Sequence, residues 1–153
     1  MKTENTENTK NTESSEERPR RLSEKEAGRK PLILAVDDSP VILKSVSSLL
    51  SDEYKVFTLL KPMELEKILR QIVPDLFLLD CQMPERSGFE LVPIIRSFEE
   101  HKDTPIIFLT SKVTDDNLAA AMALGASDFV VKPYVPEVLR ERIAKHIVRK
   151  KTL

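Results

Sequence analysis

The chain has 153 residues, of which 41% are hydrophobic and 32% charged, and its formal net charge is −1. This balance is typical of a globular domain, and the near-zero net charge argues against a broadly basic nucleic-acid binder. No apolar run is long enough to cross a membrane and no apolar block near the start could act as a secretory signal, so we expect a cytoplasmic protein without membrane insertion.

The composition of the chain changes near residue 30. Residues 1–30 contain only Met1, Leu22 and Ala27 as apolar residues, and the others are mostly charged or polar. Such a segment cannot bury enough apolar surface to offset the entropy lost on ordering. We therefore expect a disordered charged tail over residues 1–30 and one folded domain over residues 31–153.

Short unbroken apolar runs predict strands that are buried on both faces, as in a parallel sheet. These runs are residues 32–36, 76–79, 106–109 and 129–131. The segment 54–59 is more mixed in polarity, which favours an edge strand.

Between the strands, apolar residues recur at helical spacing over residues 42–50, 65–72, 91–98 and 139–147. Ser39 is expected to cap the first helix with Pro40 in its first turn, and Asp115 to cap an alanine-rich helix that stops at Gly125. The alternation predicts an α/β fold: a doubly wound, flavodoxin-like, five-stranded parallel sheet in the order 2-1-3-4-5, with helices on both faces.

Polar residues follow four of the five predicted strands at the point where each strand ends. Asp37 and Asp38 follow the first strand, Asp80 the third, Thr110 the fourth and Lys132 the fifth. Ligands of such sheets bind outside the carboxyl ends of the strands, so these side chains should share one crevice. Three neighbouring carboxylates repel unless a cation enters, and a site built only from oxygen ligands suits Mg²⁺.

This combination of groups favours a site that receives a phosphoryl group. A carboxylate can attack phosphorus and form an aspartyl phosphate. A divalent cation and the ammonium of Lys132 can then offset the charge on the oxygens of the transferred group.

The residues Asp37-Asp38, Asp80, Thr110 and Lys132-Pro133, in this order and at these strand ends, resemble the receiver domain of two-component response regulators, in its single-domain, CheY-like form. The resemblance covers about residues 31–150. It implies that Asp80 is the phosphoacceptor, and that Asp38, Asp80 and the backbone carbonyl of Gln82 bind Mg²⁺ (or Mn²⁺) directly, with Asp37 acting through water.

The resemblance also implies roles for residues on the last two strands. Lys132 is expected to pair with the acceptor carboxylate and then with the phosphate, and the Lys132-Pro133 bond is expected to be cis. Thr110 is expected to turn toward the phosphoryl oxygen. Phe129, three residues before Lys132, occupies the aromatic switch position, although a plain core role suits it almost equally well.

The function implied is a phosphorylation-dependent signalling switch. A histidine kinase or a phosphotransfer protein would donate the phosphoryl group, and a protein target would bind the face formed by helix 4, strand 5 and helix 5. Because no output domain follows the last helix, we expect no direct DNA binding. We also expect no enzymatic turnover beyond slow self-phosphorylation and self-dephosphorylation.

Two alternatives stay open. One is an aspartyl-nucleophile phosphatase like the haloacid dehalogenase-like enzymes, which place a second Asp two residues after the nucleophile, where this chain has Gln82. The other is a receiver-like interaction module that is never phosphorylated. Cys81 is expected to be a small packing residue, and His101, in a polar loop, to be exposed.

Overall fold

The sheet of the computed structural model has the predicted order. The structure describes residues 29–111 and 114–151, and within these ranges five strands pair in parallel in the order β2-β1-β3-β4-β5. The strands are β1 (Leu32–Val36), β2 (Lys55–Leu59), β3 (Leu76–Asp80), β4 (Ile106–Thr110) and β5 (Asp128–Val131). The predicted doubly wound, flavodoxin-like fold is therefore confirmed.

Helices connect successive strands and cover both faces of the sheet. They are α1 (Pro40–Leu50), α2 (Leu65–Leu69), α3 (Gly88–Arg96), α4 (Asp115–Ala123) and α5 (Pro136–Lys151), with 3₁₀ turns at Pro62–Glu64 and Glu99–His101. One hydrophobic cluster joins the sheet to α1 and α5, and a second joins the other face to α2, α3 and α4. Successive strand residues alternate between the two clusters because side chains alternate across a strand.

The burial of each strand follows its position in the sheet. All five residues of β3 and all five of β4 are buried, whereas β2 at the sheet edge is buried only at Leu59 and partly at Val56. A strand with neighbours on both sides and helices above and below must be apolar along its whole length. This explains the unbroken apolar runs, and it places the carboxylate of Asp80 at the buried end of β3.

The helix starts are set by side-chain caps. Ser39 Oγ accepts a hydrogen bond from the Ile42 N–H at 3.3 Å, with Pro40 in the first turn, as predicted. The predicted cap of α4 was wrong by one residue. Thr114, not Asp115, caps this helix: Thr114 Oγ1 accepts a hydrogen bond from the Asn117 N–H at 3.0 Å. Asp115 lies in the first turn, where its negative charge interacts favourably with the helix dipole.

His101 is buried, which corrects the expectation that it is exposed. Its Nδ1 lies 2.8 Å from Thr104 Oγ1, and its ring packs edge-on against Phe77 with the ring centroids 5.0 Å apart. Sequence reasoning missed this because the neighbouring residues in the chain are polar and the aromatic partner lies on β3, distant in sequence.

Arg96, at the end of α3, ties three backbone segments together. Its guanidinium donates to the carbonyl oxygens of His101 at 2.9 Å, Thr104 at 2.7 Å and Gly125 at 3.3 Å. Burial lowers the pKa of Arg96. Gly125 has a φ of +89°, so this contact also holds the left-handed residue at the turn between α4 and β5.

The expectation of a disordered tail falls almost entirely on residues outside the described ranges. Of residues 1–30 the structure describes Arg29 and Lys30, and Lys30 Nζ donates to the Ser51 carbonyl oxygen at 2.9 Å. Among the helices of the described part of the chain, none is both long and apolar enough to cross a membrane.

Replacing Arg96 by Met is expected to lower the free energy of unfolding by roughly 1–3 kcal/mol, because three carbonyl groups lose their charged donor. Urea unfolding followed by circular dichroism measures this change. Arg70→Met is the matched control, since the guanidinium of Arg70 pairs with Glu66 at an exposed position, and it should cost less than about 0.5 kcal/mol. Equal losses in both variants would contradict the structural role of Arg96.

Candidate functional site

Three carboxylates meet at the carboxyl edge of the sheet. Asp37 and Asp38 follow β1, and Asp80 is the last residue of the neighbouring strand β3. One carboxylate oxygen from each of the three residues lies within 4.8 Å of the others. Asp37 and Asp80 are buried, and Asp38 is exposed. The predicted convergence of these three acids is therefore found.

Lys132 brings a positive charge to the two buried acids from the end of β5. Its Nζ lies 2.9 Å from Asp37 Oδ2 and 3.3 Å from Asp80 Oδ1. Only 14% of the Lys132 side chain is exposed, so water screens these pairs weakly. The peptide bond between Lys132 and Pro133 is cis, in agreement with the expectation.

Backbone groups hold both buried carboxylates in place. The Ser39 N–H donates to Asp37 Oδ1 at 3.0 Å, so the residue that caps α1 also orients the acid before it. The Gln82 N–H lies 3.4 Å from Asp80 Oδ1. The start of α1 and the loop after β3 therefore both contribute to the geometry of the site.

Burial and like charge raise the pKa of Asp80 to about 6. Burial is the larger cause, the neighbouring Asp37 adds to it, and Lys132 opposes both. For Lys132, burial lowers the pKa, but the carboxylates of Asp37 and Asp80 outweigh that effect and the net pKa is raised. The site thus holds an acid whose charge is costly and an ammonium that stays protonated.

These residues fit a hard divalent cation. The donor set consists of carboxylate oxygens, and one ammonium faces two buried acids that still repel each other. A divalent ion among the carboxylates would remove that repulsion, and Mg²⁺ prefers oxygen ligands of this kind. Asp38 and Gln82 are exposed, so this side of the cluster is open to solvent.

Gly88 is a site residue that sequence reasoning did not single out. A Cβ at this position would lie 2.2 Å from the Asp80 carbonyl oxygen and 3.2 Å from a ring carbon of Phe108. The Gly88 N–H also donates to the Cys81 carbonyl oxygen at 3.0 Å. The first turn of α3 therefore packs directly on the backbone of Asp80, and only glycine leaves room for it. A lone glycine at a helix start was the available signal.

Two further predicted residues lie on the strands beyond β3. Thr110 ends β4 and is buried, and its carbonyl oxygen accepts from the Lys132 N–H at 2.7 Å. Phe129 on β5 is half-buried, with its ring centroid 6.2 Å from that of Phe108. Cys81 is buried, as expected, and burial raises its pKa to about 11, so its thiol is protonated at neutral pH.

The sequence of residues 33–144 matches the protein-family model of the response regulator receiver domain. The chain belongs to this family. The chain is 36% identical over 129 residues to one relative, hybrid signal transduction histidine kinase D of Dictyostelium discoideum. The matched region covers 84% of this chain and 8% of that protein. It is 34% identical to the transcriptional regulatory protein YvrH of Bacillus subtilis, covering 76% of this chain and 49% of that protein. This receiver domain thus spans less than half of either relative.

Solved structures agree with this assignment. The chemotaxis protein CheY4 of Vibrio cholerae is 33% identical with a TM-score of 0.73, over 76% of this chain and 98% of that one. The BeF₃-activated receiver domain of DrrB is 30% identical with a TM-score of 0.69, over 77% and 97% of the two chains. The chain therefore belongs to a family whose members act as phosphorylation-dependent signalling switches. Receiver domains generally act as phosphoacceptors, typically bind Mg²⁺ at an acidic cluster, and interact with histidine kinases or phosphotransfer proteins and with downstream targets.

Replacing Asp80 by Asn is expected to stabilise the metal-free receiver domain at pH 7.5 by roughly 1–3 kcal/mol, since a pKa unit corresponds to about 1.4 kcal/mol. Because folding raises the pKa of Asp80 from 3.8 to about 6, the folded state holds its proton more tightly and stability falls as pH rises across that interval. Asn stays neutral, so this fall should disappear.

Urea unfolding in EDTA between pH 4 and pH 7.5 measures the effect of Asp80→Asn. Asp38→Asn is the matched control, because Asp38 belongs to the same cluster but is exposed. Its effect should be clearly smaller. A destabilised Asp80→Asn protein at pH 7.5 would contradict the repulsion described here.

Replacing Gly88 by Ala is expected to lower the free energy of unfolding by about 1–3 kcal/mol and to weaken Mn²⁺ binding, because the added Cβ displaces the backbone of Asp80. Gly125→Ala is the control: it is strained by its φ of +89° and should cost roughly 1–2 kcal/mol, but the atom nearest its added Cβ is an Arg96 nitrogen at 4.0 Å. Calorimetric titration should show normal Mn²⁺ affinity for Gly125→Ala, and normal affinity in Gly88→Ala would refute the link.

Proposed function

We propose that Asp80 is the phosphoacceptor of this receiver domain, with Lys132 and Thr110 as its partners in the reaction. The observation that carries this proposal is the position of Lys132, whose Nζ lies within 3.3 Å of Asp80 and 2.9 Å of Asp37 at the end of a parallel sheet. An ammonium between two buried acids can bind a group that carries several negative oxygens.

In the proposed reaction, a carboxylate oxygen of Asp80 attacks the phosphorus of a phosphohistidine on a kinase or phosphotransfer protein. The new O–P bond forms as the P–N bond breaks, and the bonding electrons leave with the imidazole, which takes up a proton. Lys132 offsets the negative charge on the moving oxygens in the transition state. The N–H of Gln82 holds the acceptor carboxylate at 3.4 Å, so its orientation is set before the donor arrives.

We further propose that the acidic cluster binds Mg²⁺, with Mn²⁺ as a substitute. Asp38, Asp80 and the backbone carbonyl of Gln82 would hold the ion directly, and Asp37 would act through water. When bound, the ion supplies positive charge that neutralises the phosphoryl oxygens and the repulsion among the acids. Asp37 is already engaged by Lys132 and by the Ser39 N–H, which favours an outer role for its carboxylate.

The proposed switch links Asp80 on β3 to the edge strand β5 through Thr110 on β4 and Phe129 on β5. A phosphoryl group on Asp80 would attract the Thr110 hydroxyl, since its oxygens are strong hydrogen-bond acceptors. The movement of Thr110 would leave space for the ring of Phe129, which is only half-buried in this state. The two arrangements of these side chains would form the bistable element that phosphorylation biases.

The proposed output surface is the face formed by α4, β5 and α5. It carries exposed apolar side chains, namely Leu118, Met122, Leu124, Val131 and Val135. Nearly all of α4 is exposed, with Ala121 its buried residue, so this helix is held weakly by the core. A weakly held apolar surface next to Phe129 suits a protein target whose affinity changes with phosphorylation.

Incubation with Mg²⁺ and acetyl phosphate is expected to add one phosphoryl group to the wild-type receiver domain, because a carboxylate held beside an ammonium can accept it. Intact-protein mass spectrometry measures the addition, and the adduct should be lost in acid and in base. Asp80→Asn should abolish it. Asp52→Asn, on an exposed aspartate of the turn after α1, should leave it unchanged.

The phosphorylation assay, together with an assay of phosphate release, separates a phosphoacceptor from an interaction module and from a phosphatase. An Asp80→Asn protein that still gains the group would overturn the acceptor assignment. A wild-type protein that gains none would favour an interaction module that is not phosphorylated. Sustained hydrolysis of a phosphomonoester, measured as released phosphate, would instead favour an aspartyl-nucleophile phosphatase.

A further inference from the structure

Tyr134 links the connection after β5 to helix α1. It lies two residues after Lys132, and its hydroxyl is hydrogen-bonded to Ser45 Oγ on α1. Its ring is half-buried and packs against the hydrophobic cluster beneath α1 and α5. The Ser45–Tyr134 contact therefore joins two elements that are 89 residues apart in the chain.

This contact closes a ring of interactions around the acidic cluster. Helix α1 begins at Ser39, whose N–H donates to Asp37 Oδ1 at 3.0 Å. Asp37 Oδ2 lies 2.9 Å from Lys132 Nζ, and Lys132 is joined through Pro133 to Tyr134. Tyr134 returns to α1 at Ser45. The segment that carries Lys132 is therefore tied to the same helix that orients Asp37.

A lysine side chain is a flexible four-carbon stem, so the position of the Lys132 ammonium is set by its two ion pairs together with the backbone segment that anchors the stem. The hydrogen bond from the Lys132 N–H to the Thr110 carbonyl oxygen fixes the backbone only on the side of β5. On the side of α5, the Ser45–Tyr134 contact ties the same segment to α1. Of the two acids, Asp80 is the more distant from Nζ, at 3.3 Å, so the Asp80 pair is the one more sensitive to a change in the anchoring of the stem.

We propose that Tyr134 is a positioning residue, which acts through the Ser45–Tyr134 contact to hold Lys132 Nζ between Asp37 and Asp80 during phosphoryl transfer. This inference rests on the proposed function, since it assigns Tyr134 a role in transfer to Asp80. Tyr134 itself neither bonds to the phosphoryl group nor exchanges a proton with it. Its effect reaches the reaction only through the ammonium of Lys132.

Removal of one positioning hydrogen bond should affect the transition state more than donor binding, because charge builds on the moving oxygens only as transfer proceeds. In Tyr134→Phe the ring and its packing remain and only the hydroxyl is lost. The maximal rate of phosphoryl gain from acetyl phosphate with Mg²⁺ is expected to fall about threefold to tenfold, the range that one hydrogen bond supplies. The half-saturating donor concentration should change less than about twofold.

Ser45→Ala should reproduce the lower rate of Tyr134→Phe, and the double variant should be no slower than either single variant, since both remove the same contact. Two matched controls test whether hydroxyl loss by itself matters. Tyr54→Phe alters the other tyrosine of the chain, and Ser48→Ala alters an exposed serine on the same helix. Both controls should keep the wild-type rate.

The Lys132→Met background separates positioning from a general structural role. If Tyr134 acts through the ammonium, Tyr134→Phe has no further effect once the ammonium is gone, whereas a structural role lowers the rate in both backgrounds. A wild-type rate in Tyr134→Phe, or an equal loss in the Lys132→Met background, overturns this inference alone. A wild-type chain that gains no phosphoryl group overturns the proposed function and this inference with it.

Discussion

The site depends on one largely buried ammonium, that of Lys132, which is shared by two acids from neighbouring strands. Lys132 Nζ lies 2.9 Å from Asp37 and 3.3 Å from Asp80, and the three side chains come from the ends of β5, β1 and β3. Because these strands are parallel, their carboxyl ends meet at one edge, and the fold itself places the groups together. Burial raises the pKa of Asp80 to about 6 and the charge of Asp37 adds to it, because the single ammonium offsets these effects only in part. Negative charge at the site is therefore incompletely compensated, and a bound cation would lower its cost.

Much of this arrangement could be predicted from the sequence because it follows from short local patterns. The apolar runs predicted the central strands, since strands buried on both faces have no polar side. The placement of Asp80 directly after such a run predicted an acid at a buried strand end, and β3 does end at Asp80. Ser39 and Pro40 predicted the start of α1. In each case the signal and the structure that it specifies lie within a few residues of each other.

What could not be predicted depends on contacts between distant segments. His101, in a 3₁₀ turn, is buried because Phe77 on β3 packs against its ring. Gly88 is required because the Asp80 backbone lies where its Cβ would be. The Ser45–Tyr134 contact joins residues that are 89 positions apart in the chain. The cap of α4 moved from Asp115 to the preceding Thr114, since both residue types cap helices and composition does not choose between them. Sequence patterns therefore identified the polar side chains that meet at the site, and the packed structure was needed to find what holds them in place.

Anomalous X-ray diffraction from crystals of the receiver domain grown with Mn²⁺ would show whether a cation joins the acidic cluster while Lys132 keeps its place between the two buried acids. We expect one strong Mn²⁺ peak beside the carboxylates of Asp38 and Asp80 and the backbone carbonyl of Gln82, with Lys132 Nζ on the opposite side of Asp80 and still paired with Asp37. Crystals that bind Mn²⁺ elsewhere, or in which Lys132 lies remote from both acids, would contradict it.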